Sequence, residues 1–229
     1  DITGAELELI TAANLEINAG TNQNIYVDNI TAANSDNISG TITLDSSQAV
    51  IFQNSSSTFN ALAVEADDGI QINNGIDLTT DTGDMSLDGN IVSNGSTIAI
   101  ATDVVFDSAG NFTIHETTAS GDVSITSTDI NIANTFNYGA NGVTINSAST
   151  VDIGDDNGAD LVVSGAELER ITGTGDVTIT TTGGTVTVDN VTAANSDNID
   201  GTLIIETTSD GDKVIFSGSN STFNTLTAN

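Results

Sequence analysis

The chain has 229 residues and a formal net charge of −30, from 32 acidic and two basic side chains, and it contains no Cys, Pro or Trp. This acidity excludes electrostatic binding to nucleic acids and to anionic membranes, because both need a basic surface on the protein. The lack of Cys excludes disulfides and thiolate sites. No apolar run approaches the roughly 18 residues needed to cross a bilayer, so we expect neither nucleic-acid partners nor membrane insertion.

The apolar content is sufficient for a folded core. Leu, Ile, Val and Phe make up 60 of the 229 residues, about 26%, above the roughly 20% below which acidic chains are disordered. Ile, Val and Thr together number 77. Because these β-branched residues favour extended backbone, we expect strands to dominate.

Apolar and polar residues alternate in short bursts along the chain, which is the period of a strand with one buried face. Representative apolar pairs are Ile70/Ile72, Phe112/Ile114, Val123/Ile125, Ile130/Ile132, Val151/Ile153, Val177/Ile179 and Val186/Val188. Gly, Asn or Asp stands at nearly every break, where tight turns are needed. The bursts recur about every nine residues, and the total of about twenty exceeds the seven to nine strands of a β-sandwich.

A longer repeat is superimposed on this pattern. Residues 4–62 match residues 165–226, first at an offset of 161 and then, after a three-residue insertion, at 164. The clearest match is VDNITAANSDNI at 27–38, which returns as VDNVTAANSDNI at 188–199. Two nested periods are typical of stacked repeat architectures.

We therefore predict an all-β fold, a parallel β-helix (β-solenoid) of roughly 20 residues per coil that forms one continuous segment over residues 1–229. Successive coils should lie about 4.8 Å apart, the ordinary interstrand spacing. We expect no helices, because the Ala pairs at 12–13, 32–33 and 193–194 lack a 3.6-residue apolar stripe. Neither end of the chain resembles a cap, so we also expect the segment to belong to a longer array.

Four short motifs resemble a known family. They are GDMSL at 83–87, GNFTI at 110–114, GDVSI at 121–125 and GDVTI at 175–179. Such motifs resemble the β-solenoid repeat regions of giant bacterial extracellular and surface proteins, the filamentous-haemagglutinin-like adhesins and related strand-repeat proteins. The resemblance implies export, an extracellular or cell-surface location, and a role in attachment or in extracellular fibres.

The sequence argues against an enzyme. A catalytic solenoid needs clustered acids with a basic residue or a His in the same groove, and this chain offers only His115, Arg170 and Lys213. The alternation at Phe112 and Ile114 places His115 on the outer face. No nucleophile elbow, Walker loop or dinucleotide fingerprint occurs, and we expect no catalytic residues.

Among chemical roles, calcium binding is a better hypothesis than catalysis, since carboxylate and amide oxygens are the preferred ligands of this ion. The candidate site is the Gly-bearing corner DDNGAD at 155–160, with Asp155, Asp156, Asn157 and Asp160 as ligands. The alternative is that these are solvated turn residues of the kind that every strand-turn protein carries. The sequence leaves both interpretations open.

Consecutive apolar residues interrupt the alternation at five places, so that one residue of each triplet should face outward. The functional interpretation is a lateral interface for a neighbouring solenoid, formed by Ile51, Val105, Val162, Ile204 and Ile215. The alternative is a doubly covered strand or a β-bulge.

Together these features predict a structural or adhesive extracellular segment that forms a rigid rod or fibre. Its partners would be neighbouring repeats or parallel solenoids, with host or surface glycans as further candidates. Two alternatives stay open: a self-assembling filament or sheath subunit, and a carbohydrate-binding or carbohydrate-active solenoid.

Overall fold

The computed structural model describes residues 3–229 and contains four sheets in which every strand pairing is parallel. In neighbour order, sheet I consists of β1 (Leu15–Asn18), β3 (Thr41–Ser46), β6 (Ala61–Ala66), β9 (Met85–Asp88), β12 (Asn111–Ile114) and β15 (Asp129–Ile132). Sheet II consists of β2 (Ile25–Val27), β4 (Val50–Phe52), β7 (Ile70–Ile72), β10 (Ile98–Ile100), β13 (Thr117–Ala119), β16 (Phe136–Gly139) and β20 (Ile171–Gly173).

Sheets III and IV complete the architecture. Sheet III consists of β5 (Ser57–Phe59), β8 (Leu78–Thr80), β11 (Val104–Ser108), β14 (Val123–Thr126), β17 (Val143–Ser147), β21 (Val177–Thr181), β23 (Leu203–Thr207) and β25 (Leu226–Ala228). Sheet IV consists of β19 (Leu161–Ser164), β18 (Val151–Gly154), β22 (Val186–Asp189) and β24 (Val214–Phe216). From β3 to β17 the chain visits sheets I, II and III in turn, so the predicted parallel β-helix is confirmed.

Coil length varies more than the prediction of roughly 20 residues. Phe112 pairs with Ile130, 18 residues later, whereas Val151 pairs with Val186, 35 residues later. The long coil contains an extra strand, β19, and a helix. Coil length is therefore set by the loops, extra strands and helices at the corners. Strands of successive coils stay in register, except where β16 pairs with β20 and the register shifts between Asn137 and Gly139.

Alternation along each strand builds the core. In β14, Val123 and Ile125 point inward and are buried, and they stack on Val143 and Ile145 of the next coil. Repetition of this pairing gives one apolar cluster that runs from Leu7 to Ile205. Each coil thus buries its apolar side chains against the coils on either side of it, and no coil has a separate core.

Four short helices are present, so the prediction of no helices is wrong at these segments: α1 (Gly4–Leu7), α2 (Ala32–Ser35), α3 (Gly165–Arg170) and α4 (Ala193–Ser196). Each has four to six residues and is held by its N-cap rather than by an apolar stripe. In α3 the Ser164 hydroxyl accepts the Glu167 N–H, while the Glu167 carboxylate accepts the Ser164 N–H at 2.8 Å. This is a capping box, whose signature Ser/Thr-x-x-Glu is visible in the sequence.

The two copies of the long repeat adopt matching structures. The Asn37 side chain donates to the Glu8 carbonyl at 2.6 Å, and its equivalent Asn198 donates to the Glu169 carbonyl at 2.7 Å. The N-caps of α2 and α4 match as well. In α2 the Thr31 N–H donates to the Asn34 amide oxygen at 2.9 Å. The equivalent bond, from Thr192 to Asn195, measures 2.8 Å. The repeat therefore encodes a helix-bearing pair of coils.

Candidate functional site

The predicted calcium corner is a loop that folds over a buried carboxylate. Strand β18 pairs in parallel with β19, and paired residues are only ten positions apart. Residues 155–160 must therefore carry the chain back to the start of a second strand that runs in the same direction. The Asp152 side chain lies beneath this loop, 2% exposed. It accepts the N–H groups of Asn157 at 2.6 Å and Ala159 at 3.1 Å. Asp152 was not among the predicted ligands, because its role depends on the position of β19.

The four predicted ligands point to separate partners. Asp155 accepts from the Asn190 side chain at 3.1 Å, Asp156 accepts the Gly158 N–H at 2.8 Å, and Asp160 accepts from the Ser149 hydroxyl. Asn157 donates its side-chain amide to the Asp155 carbonyl at 3.1 Å. Across residues 3–229 no three His, Cys, Asp or Glu side chains lie close enough together to hold a metal ion.

The five residues of the predicted lateral interface lie on three different sheets. Ile51 is on sheet II, Val105 and Ile204 are on sheet III, and Val162 and Ile215 are on sheet IV. In each triplet the middle residue is more exposed than the residue before it. They do not form a continuous apolar stripe.

Sheet II carries an uncharged outer row that was not predicted from the sequence. One outward-facing residue from each strand contributes to it, and consecutive members are register partners: Tyr26, Ile51, Gln71, Ala99, Thr118, Asn137 and Thr172. No carboxylate occurs in this row, although the chain has 32 acidic residues. The row could not be found without the register, because consecutive members are 19 to 35 residues apart in the sequence.

Sheet I carries the opposite kind of row. Asp45, Glu65 and Asp88 are register neighbours on β3, β6 and β9. Asn18 donates to Asp45 at 2.6 Å at one end, and the His115 Nδ1 atom lies 3.5 Å from Asp88 at the other. His115 is partly exposed, as its place in the alternation predicted. The arrangement concentrates negative charge along one side of the solenoid.

A buried glutamate joins helix α3 to sheet I. Glu167 accepts the Ile132 N–H at 3.2 Å and the Ser164 hydroxyl at 2.7 Å. Burial raises the pKa of the Glu167 carboxyl, against the effect of the hydrogen bonds from Ser164 and Ile132. Arg170 donates to the Ile132 carbonyl at 2.7 Å. All these contacts are within the fold, so the site is structural.

The amino-terminal end of the solenoid is an open cavity of about 860 Å³. It lies between α1, β1, β2 and the coil above them. Its apolar lining includes Leu7, Ile17, Ile25, Val27 and Ile30. Within residues 3–229, no strand pairs with β1 or β2 on this side.

Comparisons with known proteins give no relative: no family model, no curated protein and no solved structure matches the chain. In the part of the chain that the structure describes, the helices are all too short and too polar to span a membrane.

Proposed function

We propose that the chain is a structural segment of an extracellular or cell-surface protein, a rigid rod that spaces or displays other parts outside the cell. One observation supports this most: sheet III runs unbroken through eight parallel strands, about 34 Å at 4.8 Å per step. The motifs that resemble bacterial adhesin repeats support the extracellular location, and the acidic surface supports solubility there.

The proposed mechanism is mechanical. Each coil is bound to the next by backbone hydrogen bonds on several sides and by the shared aliphatic core. A pull along the chain must therefore remove coils from an end rather than separate two independent halves. Side chains in the core, such as Ile145 and Ile179, bury apolar surface against both neighbouring coils, so every layer stabilises two others.

Single-molecule pulling from the two termini tests the mechanical part. We expect stepwise extension, with steps of 18 to 35 residues matching the coils, at up to about 3.5 Å per residue. Release of the whole chain in one step would contradict it. Antibodies against the chain that label only permeabilised cells of the source organism would contradict the proposed location, whereas labelling of intact cells would support it.

A second candidate function rests on the uncharged row of sheet II, which suits a neutral glycan. Gln71, Thr118 and Asn137 offer hydrogen-bonding side chains, and the exposed Tyr26 offers an aromatic face. A carboxylate placed in the row should weaken binding to a neutral polysaccharide. Asn137→Asp and the matched control Asn131→Asp, on sheet I, would be compared on a glycan array. Equal binding by both variants and the parent would reject this candidate.

A further inference from the structure

A column of buried hydroxyl groups lines the corner of the solenoid at which the strands of sheet III end. Five successive strands, β8, β11, β14, β17 and β21, each end at or directly before a buried Ser or Thr. These residues are Thr80, Ser108, Ser127, Ser147 and Thr181. Ser127 follows β14 directly, level with the corresponding residues of β11 and β17. The corner is therefore built around one hydroxyl group in each layer.

Ser127 is the one member of this column that has no partner. Each of the others bonds to the backbone of its own corner, two or three residues further on: Thr80 to the Gly83 carbonyl, Ser108 to the Asn111 carbonyl, Ser147 to the Ser149 N–H and Thr181 to the Gly183 N–H. Within residues 3–229 no group bonds to the Ser127 Oγ atom, although Ser127 is only 5% exposed. Only Thr128 separates Ser127 from β15, so no backbone folds back over this hydroxyl.

The chain leaves a notch beside Ser127 because an extra strand is inserted there. β19 lies between β15 and β18, since it pairs with β18 and its Val162 N–H donates to the Asp129 carboxylate of β15 at 3.0 Å. In sheet III, by contrast, β17 is the neighbour of both β14 and β21. The corners that follow β14 and β17 therefore lead to strands two interstrand steps apart, about 10 Å in place of about 5 Å. The notch between these corners has a volume of about 390 Å³.

The lining of the notch combines hydroxyl groups with one carboxylate. Ser127, Ser149 and Asp160 contribute polar groups, and Ala109 and Ala148 contribute methyl groups. Asp160 accepts a hydrogen bond from the Ser149 hydroxyl. In the part of the chain that the structure describes, no basic side chain lies within ion-pair distance of Asp160. Its negative charge is therefore open to a ligand.

Charge and ligand number together select an organic cation. The net charge of −30 repels anions and attracts cations. A calcium ion takes six to eight oxygen ligands, usually with several carboxylates among them, and residues 3–229 contain no group of three acidic side chains that could hold a metal. A primary ammonium group needs fewer partners, because it offers three N–H donors. The Asp160 carboxylate and the Ser127 and Ser149 hydroxyl oxygens are three acceptors of the required kind.

We propose that this notch binds a primary ammonium group, carried either by a small alkylamine or by a lysine side chain of another protein. The ammonium group forms a charge-assisted hydrogen bond with Asp160 and donates to the Ser127 and Ser149 hydroxyls, while its alkyl chain packs on Ala109 and Ala148. This inference is independent of the spacer role and of the uncharged row on sheet II, since neither uses these residues.

Heteronuclear NMR of the whole chain, titrated with n-propylammonium chloride at constant ionic strength, tests the proposal. We expect saturable shifts confined to the backbone amides around residues 108–109, 126–128, 147–149 and 160. Tetramethylammonium carries the same charge without an N–H donor, and n-propanol has a similar shape without the charge. Neither should reproduce these shifts. The same saturable shifts with either compound would overturn the proposal, as would shifts spread over the whole acidic surface.

Two substitutions and one control locate the binding. Asp160→Asn should weaken the binding of n-propylammonium by more than about tenfold, and Ser127→Ala should weaken it by about tenfold, the effect of one hydrogen bond to a charged group. Ser127→Ala removes no hydrogen bond within the chain, so this variant should stay folded. Asp156→Asn removes the same charge from an exposed residue of the same loop that does not line the notch, and it should bind like the parent. Equal affinities for the parent, Asp160→Asn and Ser127→Ala would overturn the proposal.

A blocked lysine, acetylated at its α-amino group and amidated at its carboxyl group, distinguishes the two sources of the ammonium group. Tighter binding of the blocked lysine than of n-propylammonium would support a lysine side chain of a partner protein. The reverse order would support a free alkylamine. Failure of both compounds to bind would reject the notch as an ammonium site, whatever the outcome of the pulling and glycan experiments.

Discussion

Glu6 and Glu167 occupy the same place in the two copies of the repeat, yet the pKa values of their carboxyls shift in opposite directions. Hydrogen bonds from the Thr3 backbone and side chain lower the pKa of the exposed Glu6. Burial beneath β15 raises the pKa of Glu167, although Ser164 supplies the same capping contacts. The difference is the preceding coil, which covers Glu167, whereas within residues 3–229 no strand lies over Glu6.

The first prediction concerns pH. The folded state holds the Glu167 proton more tightly than the unfolded state. The contribution of Glu167 to stability therefore rises as the pH falls from its raised pKa toward 4.5, the ordinary pKa of a glutamate carboxyl. Glu6 has the opposite effect. Its contribution to stability is present above pH 4.5 and is lost as the pH falls through the lowered pKa.

Thermal denaturation between about pH 7 and pH 3 checks both signs. Relative to the parent, Glu167→Gln should lose stability on acidification and Glu6→Gln should gain it. If the melting temperatures of the two variants, relative to the parent, changed with pH in the same direction, the covering coil would not alter the environment of Glu167.

The second prediction concerns the acidic row of sheet I. Glu65 has an acidic register partner on either side, Asp45 and Asp88. Like charges about 5 Å apart repel by roughly 1 kcal/mol in water. Glu65→Gln should therefore raise the melting temperature at low salt by about 2–4 °C, and the gain should vanish at high salt.

Glu16→Gln is the matched control for this change. Glu16 lies on the same sheet, and its register partner is the neutral Thr43. A similar salt-dependent gain from both substitutions would mean that the total charge, and not the row, is responsible.

The third prediction concerns a close approach between two coils. Gly154 has φ +98°, and a Cβ there would overlap the Asp189 carbonyl oxygen of the next coil. Gly158 has φ +96° but open space around it. Gly158→Ala should cost about 1–2 kcal/mol from the left-handed backbone alone, and Gly154→Ala should cost clearly more. Equal urea midpoints for the two variants would contradict the close packing of β18 on β22.

The fourth prediction concerns the loop at residues 155–160. Removal of the Asp152 carboxylate leaves the Asn157 and Ala159 N–H groups without their acceptor, which should cost about 1–3 kcal/mol. Asp156→Ala, at an exposed residue of the same loop, should change stability by less than about 0.5 kcal/mol. Urea denaturation of both variants measures the difference, and a neutral Asp152→Ala would show that the loop does not depend on this carboxylate.

The sequence was sufficient for the fold because the signal is local. Alternation at Val123 and Ile125 identifies the buried face, and both residues are buried. The capping-box signature at Ser164 and Glu167 was equally local, but a helix of six residues has no apolar stripe, so the expectation based on stripes missed it.

The surface could not be predicted in the same way. Whether Ile51 lies beside Tyr26 or beside Ile215 depends on the register between coils, and the register depends on corners that vary in length. Asp152 looks like an outward-facing strand residue in the sequence and becomes buried only because β19 returns beside β18. Such features depend on contacts between strands of different coils, which a short stretch of sequence does not show.

Distances along the outer row of sheet III test the stacked solenoid most directly. Thr58, Thr79, Asp107, Thr126, Asn146, Thr180 and Glu206 are successive register partners. Because the chain has no Cys, pairs of introduced cysteines can be spin-labelled without other reactive thiols. Double electron–electron resonance should give about 29 Å between positions 58 and 206, and about 24 Å between 79 and 206, at 4.8 Å per coil. Two distances that do not differ by one interstrand step, or that both lie below about 15 Å, would contradict the stacking of successive coils.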